Sequence, residues 1–372
     1  MRTALVHDWL TGMRGGEKVL ELLCEVLPGS DLYTLLHVPH SVSSTIESRR
    51  VVTSWLNRLP GIGRWYRYLL PMMPLAVEGL RLDGYDLVVA VSHCAAHGVT
   101  VRGGRFVCYC LTPMRYIWDT VGSYFSGRRR RDLRYWMLRR LSGVFRRWDR
   151  EAASRVDEYV TISHVVQERV KSCYGRDSRV IYPPVDTTFH HPVSTPRRGY
   201  YLWAGALAPY KRVDLALEAF AKLDAELWVV GEGQDLAWAR RRATANVKVL
   251  GRVSDDELRR CYSGCRALVF PGEEDFGIVP VEAQACGRPV IAYGRGGVRD
   301  TVVPADDASG RSPSGIFFDT PTAEGLVDAV RRFESVEDDF DADAIRGHAL
   351  TFSRERCRTE LTAYLCGAGG AR

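Results

Sequence analysis

The chain is constrained most by a rhythm that occurs twice along it. Short apolar runs are each closed by a glycine- or proline-bearing turn and followed by apolar residues at helical spacing. Thr3–His7 leads into Asp8-Trp9-Leu10-Thr11-Gly12-Met13-Arg14-Gly15-Gly16 and then a helical pattern over Glu17–Leu27. Tyr85–Val91, Phe106–Cys110, Val156–Ile162 and Val180–Tyr182 read as further strands, with a helix near His164–Tyr174 and a stop at Pro183-Pro184. From residue 200 the series starts again. Strands are predicted over Tyr200–Ala204, Glu226–Val230, Val247–Leu250, Ala267–Phe270 and Pro289–Tyr293, and helices over Val213–Leu223, Ser254–Tyr262 and Val281–Cys286. Ser254 with Glu257 three residues on makes a capping box. This alternation predicts an α/β protein with mostly parallel sheets. Over 372 residues it predicts two such units with a cleft between them. The polar, proline-bearing stretch His190–Gly199 is the expected linker, which sets domains at 1–190 and 196–350 and leaves 351–372 as a terminal segment.

Charge separates the halves. Residues 1–195 carry 27 Lys and Arg against 18 Asp and Glu, whereas residues 196–372 carry 24 against 27. The basic excess falls in two stretches that also hold aromatics: Trp55–Met73, and Tyr124–Arg150 with ten Arg. Two readings stand: amphipathic helices at a lipid headgroup boundary, or helices packed on their own domain with a solvated Arg face. No nucleic-acid-binding module accompanies these stretches, so nucleic acid is not an expected partner. The ten Cys are scattered, without Cys and His at zinc-finger spacing, and are expected to be reduced core residues. Neither a signal peptide nor an apolar run of membrane-spanning length is recognised, so a cytoplasmic protein is expected.

Three segments can carry chemistry. Pro271-Gly272-Glu273-Glu274-Asp275-Phe276-Gly277-Ile278-Val279-Pro280-Val281-Glu282-Ala283 follows a strand and opens a helix, whose free amides suit a phosphate. Glu274 and Glu282 add carboxylates that can accept from paired hydroxyls, as on a ribose or sugar. Gly205-Ala206-Leu207-Ala208-Pro209-Tyr210-Lys211-Arg212-Val213-Asp214 puts two cations at a helix start, an unfavourable place without an anion. There Lys211 and Arg212 can hold a diphosphate and stabilise it as a leaving group. The loop Gly12–Gly16 lies at a strand's carboxyl edge but fits neither a dinucleotide fingerprint nor a P-loop.

Residues 200–300 resemble the second domain of a retaining, nucleotide-sugar-dependent glycosyltransferase of family 4, with the GT-B fold: two Rossmann-like domains with parallel sheets facing across a cleft. Glu274 and Glu282 match the family's E-x7-E signature. Arg14-Gly15-Gly16-Glu17-Lys18, Thr112-Pro113-Met114-Arg115-Tyr116-Ile117-Trp118-Asp119 and Tyr182-Pro183-Pro184-Val185-Asp186 extend the likeness to the first half. They resemble the mannosyltransferase-like branch of bacterial O-antigen and exopolysaccharide synthesis.

The resemblance implies roles. Glu282 would hold the donor ribose, Glu274 the hydroxyls of the transferred sugar, and Lys211 with Arg212 the diphosphate. Gly16, Gly205, Phe276, Gly277, Ile278 and Val279 would cradle phosphate or sugar, Gly251 and Val253 would line the base, and Gly296 would turn beside the nucleotide. The acceptor, a glycan or lipid-linked sugar, would meet Trp9, His93, Arg115, Trp118 and Asp119. The donor would be a nucleotide-diphosphate hexose, GDP-mannose in this branch, with no metal and no cofactor. The terminal segment would pack back on the first domain, and the protein would sit at the inner face of the plasma membrane. Two positions depart from the pattern: Ala206 replaces a usual Arg and Leu111 a common His. Arg212 or Arg295 is the candidate substitute for the first, and His93 for the second. These departures keep two alternatives open: a non-catalytic nucleotide-sugar-binding or scaffold protein, and a sugar phosphorylase or synthase on the same fold.

Overall fold

Strands β1 (Thr3–His7), β2 (Asp31–Thr34), β3 (Val51–Thr53), β4 (Arg81–Asp83), β5 (Leu87–Ser92), β6 (Thr100–Arg102), β7 (Arg105–Cys110), β8 (Glu158–Thr161) and β9 (Ser178–Val180) occupy the first half of the chain. The computed structural model describes residues 1–118, 133–195, 199–307 and 310–367, with the backbone alone at residues 116 and 133–139. The chain forms two units, Met1–Pro184 with Cys357–Arg372, and Val185–Arg356.

In the first unit seven strands pair in the order β3-β2-β1-β5-β7-β8-β9, all parallel. The central strands β1 and β5 are buried at every position, as a sheet covered on both faces requires. Helix α1 (Gly15–Val26) turns Val19, Leu20, Leu22, Leu23 and Cys24 inward. The long helix α2 (Leu133–Ser154) precedes β8, and α3 (His164–Tyr174) follows it. Ser163 caps α3 through the Val166 amide at 3.3 Å, and Gly175 at φ 68° ends it.

In the second unit β10 (Tyr201–Ala204), β11 (Leu227–Val230), β12 (Val247–Gly251), β13 (Leu268–Phe270), β14 (Val290–Tyr293) and β15 (Gly315–Phe318) pair in the order β12-β11-β10-β13-β14-β15, again all parallel. One face is covered by α4 (Val213–Phe220) and the helix Ala323–Ser335, with Phe220, Leu326 and Phe333 fully buried. The other is covered by α5 (Asp255–Gly264) and α6 (Ile278–Ala285), around Tyr262, Ala283 and Cys286. The Ser254 and Glu257 capping box forms.

Strand order reverses between β1 and β5 in the first unit and between β10 and β13 in the second. In open parallel sheets the crevice at such a switch point, beyond the strands' carboxyl ends, receives ligands. The loops that face these crevices are Asp8–Arg14 and His93–Ala95 in one unit, and Gly205–Arg212 and Pro271–Gly277 in the other.

Two expectations differ from the structure. The junction falls at Pro184/Val185, ahead of the polar stretch His190–Gly199. Val185 already pairs with the backbone of Phe352 and Arg354, and His190 is buried in the second unit. Trp55–Met73 does not form amphipathic helices of any length. It is split into a 3-10 turn over Trp55–Arg58, a single helical turn over Ile62–Trp65 and a 3-10 stretch over Tyr66–Met72, with Pro60 between the first two and Pro71 inside the third. The C-terminal helix α7 (Arg354–Cys366) puts Arg358 on Glu25, and Arg105 on the carbonyl oxygens of Tyr364 and Leu365.

Candidate functional site

At the β10/β13 switch point the chain leaves β10 through Gly205 and makes a single 3-10 turn over Pro209–Lys211. Gly272, just after β13, lies against that turn: a Cβ there would stand 2.9 Å from Lys211 Cα and from the Tyr210 carbonyl oxygen. This close approach brings Lys211 to Glu274, and the two side chains form a largely buried ion pair. Burial depresses the Lys211 ammonium, but the Glu274 carboxylate outweighs it and holds the lysine above its ordinary value. The Glu274 backbone is braced in turn by Gly297, whose amide donates to its carbonyl at 2.8 Å. Gly296, at φ 80°, leaves no room for a Cβ beside that same carbonyl.

Arg212 caps α4 in the left-handed region at φ 55°, ψ 41°. Its Nε lies 3.1 and 3.2 Å from the two carboxylate oxygens of Asp214. Ala206 and Arg295 are both exposed. Past Glu274, Phe276 is buried against Phe352, Gly277 at φ 89° precedes α6, and Ile278 and Val279 are half-buried in its first turn. One turn on, Glu282 is buried. Its Oε2 accepts from the Tyr262 hydroxyl at 3.0 Å, and its Oε1 lies 3.5 Å from His190 Nε2. Gly251 ends β12 at φ 80°, with the Arg240 guanidinium over it, and Val253 packs on the α5–α6 side of the sheet. The unit therefore presents a buried cation–carboxylate pair, a helix opening and a second buried carboxylate. Such a set can neutralise a diphosphate and accept from vicinal hydroxyls.

The first unit's switch point is organised differently. Asp8, fully buried, accepts from the backbone amides of His93 at 2.7 Å, Cys94 at 3.0 Å, Ala95 at 2.6 Å and Ala96 at 2.7 Å. Burial raises its carboxyl, but His93 at 2.9 Å, with His7 and these amides, carries it far below the usual carboxylate range. His93, partly exposed, sits over Asp8 with its ring edge-on to Trp9 at 4.6 Å. Trp9 itself is buried and underlies His93. Beneath Gly16, His7 donates from Nδ1 to the Val91 carbonyl at 3.1 Å, while its Nε2 lies 3.6 Å from Glu17, within ion-pair range but beyond a hydrogen bond. Leu111 covers Gly16: a Cβ on that glycine would come 2.8 Å from Leu111 Cδ1.

Arg115 opens the short helix Arg115–Trp118. Trp118 donates to Asp149 at 2.6 Å, and the Arg150 guanidinium stacks 4.8 Å above its ring. Asp149 is a hub on α2, accepting also from Tyr174 at 2.8 Å and facing His97 Nε2 at 3.1 Å, while His97 Nδ1 meets Ser92 Oγ at 3.1 Å. Ser92, His97 and Asp149 are all buried, so this series acts as a structural brace. Asp119 lies outside the described residues, as do residues 124–132 of the basic stretch. Asp8, Asp149, Tyr262 and His190 carry no sequence signal; each is recognisable only by its buried partners. Among the described residues no three His, Cys, Asp or Glu side chains could share a metal ion, and no helix is long and apolar enough to cross a membrane. Nine cysteines are buried, and Cys366 is exposed.

Two doubly wound parallel units with their loops at the switch points define a protein of GT-B fold. HepE of Anabaena, in complex with UDP, shares that fold at a TM-score of 0.71 and 17% identity, over 99% of this chain and 100% of its own. Residues 13–189 match Glycosyltransferase Family 4, and residues 187–346 match Glycosyl transferases group 1, so the chain is related to those glycosyl transferases. A GDP-mannose-dependent monoacylated alpha-(1-6)-phosphatidylinositol monomannoside mannosyltransferase of Corynebacterium glutamicum is 30% identical over 187 residues, 42% of this chain and 49% of that protein. The O-antigen chain mannosyltransferase RfbU of Salmonella typhimurium is 26% identical over 219 residues, 52% of this chain and 59% of its own. In both cases the chain spans about half the length of the curated relative.

Proposed function

We propose that the protein is a retaining, metal-independent glycosyltransferase that moves a hexosyl unit, mannosyl from GDP-mannose, to a glycan or lipid-linked acceptor. The observation that carries this reading is the Lys211–Glu274 pair at the switch point, beside the opening of α6. A donor diphosphate competes for the Lys211 ammonium and releases Glu274 to accept from sugar hydroxyls. Lys211, with Arg212 beside it, then stabilises the charge that develops on the leaving diphosphate. The bond from the sugar's anomeric carbon to the diphosphate oxygen breaks, and a bond to the acceptor oxygen forms on the same face. The acceptor's proton passes to the departing diphosphate, so no Asp or Glu nucleophile is required. Glu282 accepts from the ribose, and Gly251 and Val253 border the base. The choice of mannose rests on the likeness to the Corynebacterium mannosyltransferase. Acceptor recognition is assigned to Arg115 and His93.

The working location is the cytoplasmic face of the plasma membrane. Trp55, Tyr68, Met72 and Leu75 are exposed among exposed Arg58, Arg64 and Arg67, a combination that suits an anionic headgroup boundary.

A second reading is favoured by Leu111 over Gly16 and by the neutral Ala206: a nucleotide-sugar-binding protein without turnover. Turnover of GDP-, UDP-, ADP- and dTDP-sugars with bacterial lipid extract, with and without chelator, separates the two. The expected result is chelator-insensitive transfer from GDP-mannose with an α-linked product, abolished in Lys211→Ala and Glu274→Ala. Binding without turnover of any donor would establish the second reading instead.

A further inference from the structure

Glu282 is held by two side chains to which the reaction above gives no part. We propose that Tyr262 and His190 are positioning residues that fix the Glu282 carboxylate as a rigid acceptor for the two hydroxyls of a nucleoside's ribose. This rests on the reading of Glu282 as the ribose-binding group.

A carboxylate accepts two vicinal hydroxyls together only if both oxygens face them at once. A free glutamate reaches that orientation at a cost in side-chain entropy. Tyr262, in α5 and fully buried, donates its hydroxyl to Oε2 at 3.0 Å. Burial, with the Glu282 carboxylate adding to it, pushes the Tyr262 phenol well above its ordinary value, so the group stays a donor. His190 approaches the other oxygen, with Nε2 at 3.5 Å from Oε1. The ring is edge-on to Tyr262 at 5.7 Å, which ties the two partners of Glu282 to each other. Its backbone is clamped as well: Arg346 donates to the His190 carbonyl and Arg259 to the Phe189 carbonyl, both at 3.2 Å. The buried Nδ1 of His190 has no hydrogen-bond partner among the described residues. Nε2 is therefore the ring nitrogen through which His190 faces the carboxylate. A carboxylate offers about four acceptor positions, and Tyr262 and His190 address one on each oxygen. Tyr262 and His190 thus narrow Glu282 to one orientation without filling it.

The test is calorimetric titration of the full chain with GDP, UDP and their 2′,3′-dideoxy counterparts. Wild type is expected to bind the ribose forms at least about tenfold more tightly, the loss that missing hydroxyls cause in a site built to bond them. Glu282→Gln should collapse that ratio. Tyr262→Phe should cut it about fivefold, in line with one hydrogen bond, and His190→Ala about threefold, in line with a longer polar contact, with dideoxy affinity unchanged. His190→Gln, which keeps an N–H donor, should restore it. A normal ratio in both Tyr262→Phe and His190→Ala, with Glu282→Gln still impaired, would overturn the positioning role while leaving the ribose reading intact. A wild-type protein indifferent to the hydroxyls would overturn the ribose reading itself. If Tyr262→Phe fails to fold, the His190→Ala and His190→Gln pair decides.

Discussion

Lys211 and Glu274, 63 residues apart in the chain, form an ion pair in which neither side chain is more than 17% exposed. Breaking such a pair leaves an uncompensated charge in a dry place, a loss of about 3 kcal/mol or more. Lys211→Met and Glu274→Met are each expected to lower the denaturation midpoint clearly, and the double variant to recover much of the loss. Additive losses in that cycle would show that the two charges do not depend on one another.

Arg212 holds a left-handed backbone at φ 55° that a non-glycine residue adopts at a cost of roughly 1 kcal/mol or more. Arg212→Gly removes the strain and the cation together, so it should melt higher than Arg212→Ala while transferring sugar no better. Equal melting temperatures would argue that the backbone here is unstrained.

The buried carboxylate and histidine networks predict opposite pH limits. The folded-state pKa of Asp8 is depressed below its ordinary 3.8, so its contribution is complete above that pH and is lost as pH falls through the depressed value. Burial lowers His97, but Asp149 more than reverses this, so its folded-state pKa lies above the ordinary 6.5. That contribution is complete below pH 6.5 and is lost as pH rises through the raised value. Urea denaturation across the pH range should show Asp8→Asn destabilised by about 3 kcal/mol at neutral pH, because an amide group then faces amide donors. The variant's acid limb should be flatter than that of wild type. His97→Phe should flatten the alkaline limb only. A wild-type acid limb in Asp8→Asn would exclude this carboxylate as its cause.

The exposed aromatic and arginine collar around Trp55–Leu75 should bind vesicles containing anionic lipid and release them at high salt. Charge reversal at Arg58, Arg64 and Arg67 should weaken sedimentation with those vesicles without changing the melting temperature. Equal binding to neutral vesicles would remove the electrostatic explanation.

Much of this architecture is local enough to read from sequence. Thr3–His7 is buried at every position and is a strand within the bounds its apolar run suggests. The Ser254 and Glu257 box and the glycine turns at Gly205 and Gly277 satisfy backbone needs within a few residues. The strands β2 and β3 are not legible in this way: Asp31–Thr34 buries only alternate positions and Val51–Thr53 none fully, so neither carries the wholly apolar run that marks the central strands. Trp55–Met73 misleads for another reason: its composition suits an amphipathic helix, yet its prolines remove the backbone donors such a helix needs.

The alternation of strand and helix, the turns between them, and the cations and carboxylates at strand ends are all written locally along the chain. Which of those groups meet depends on how the strands pair and the helices pack. Parallel pairing of β10 with β13 sets the loop of Lys211 beside that of Glu274. Pairing of β1 with β5 sets Asp8 under amides that follow in the chain by 85 to 88 residues. Packing of α5 on α6 carries Tyr262 to Glu282. Each of these contacts joins residues separated by a crossover, so no local periodicity encodes it. Each draws its strength from burial, which exists only once the sheets have closed over it.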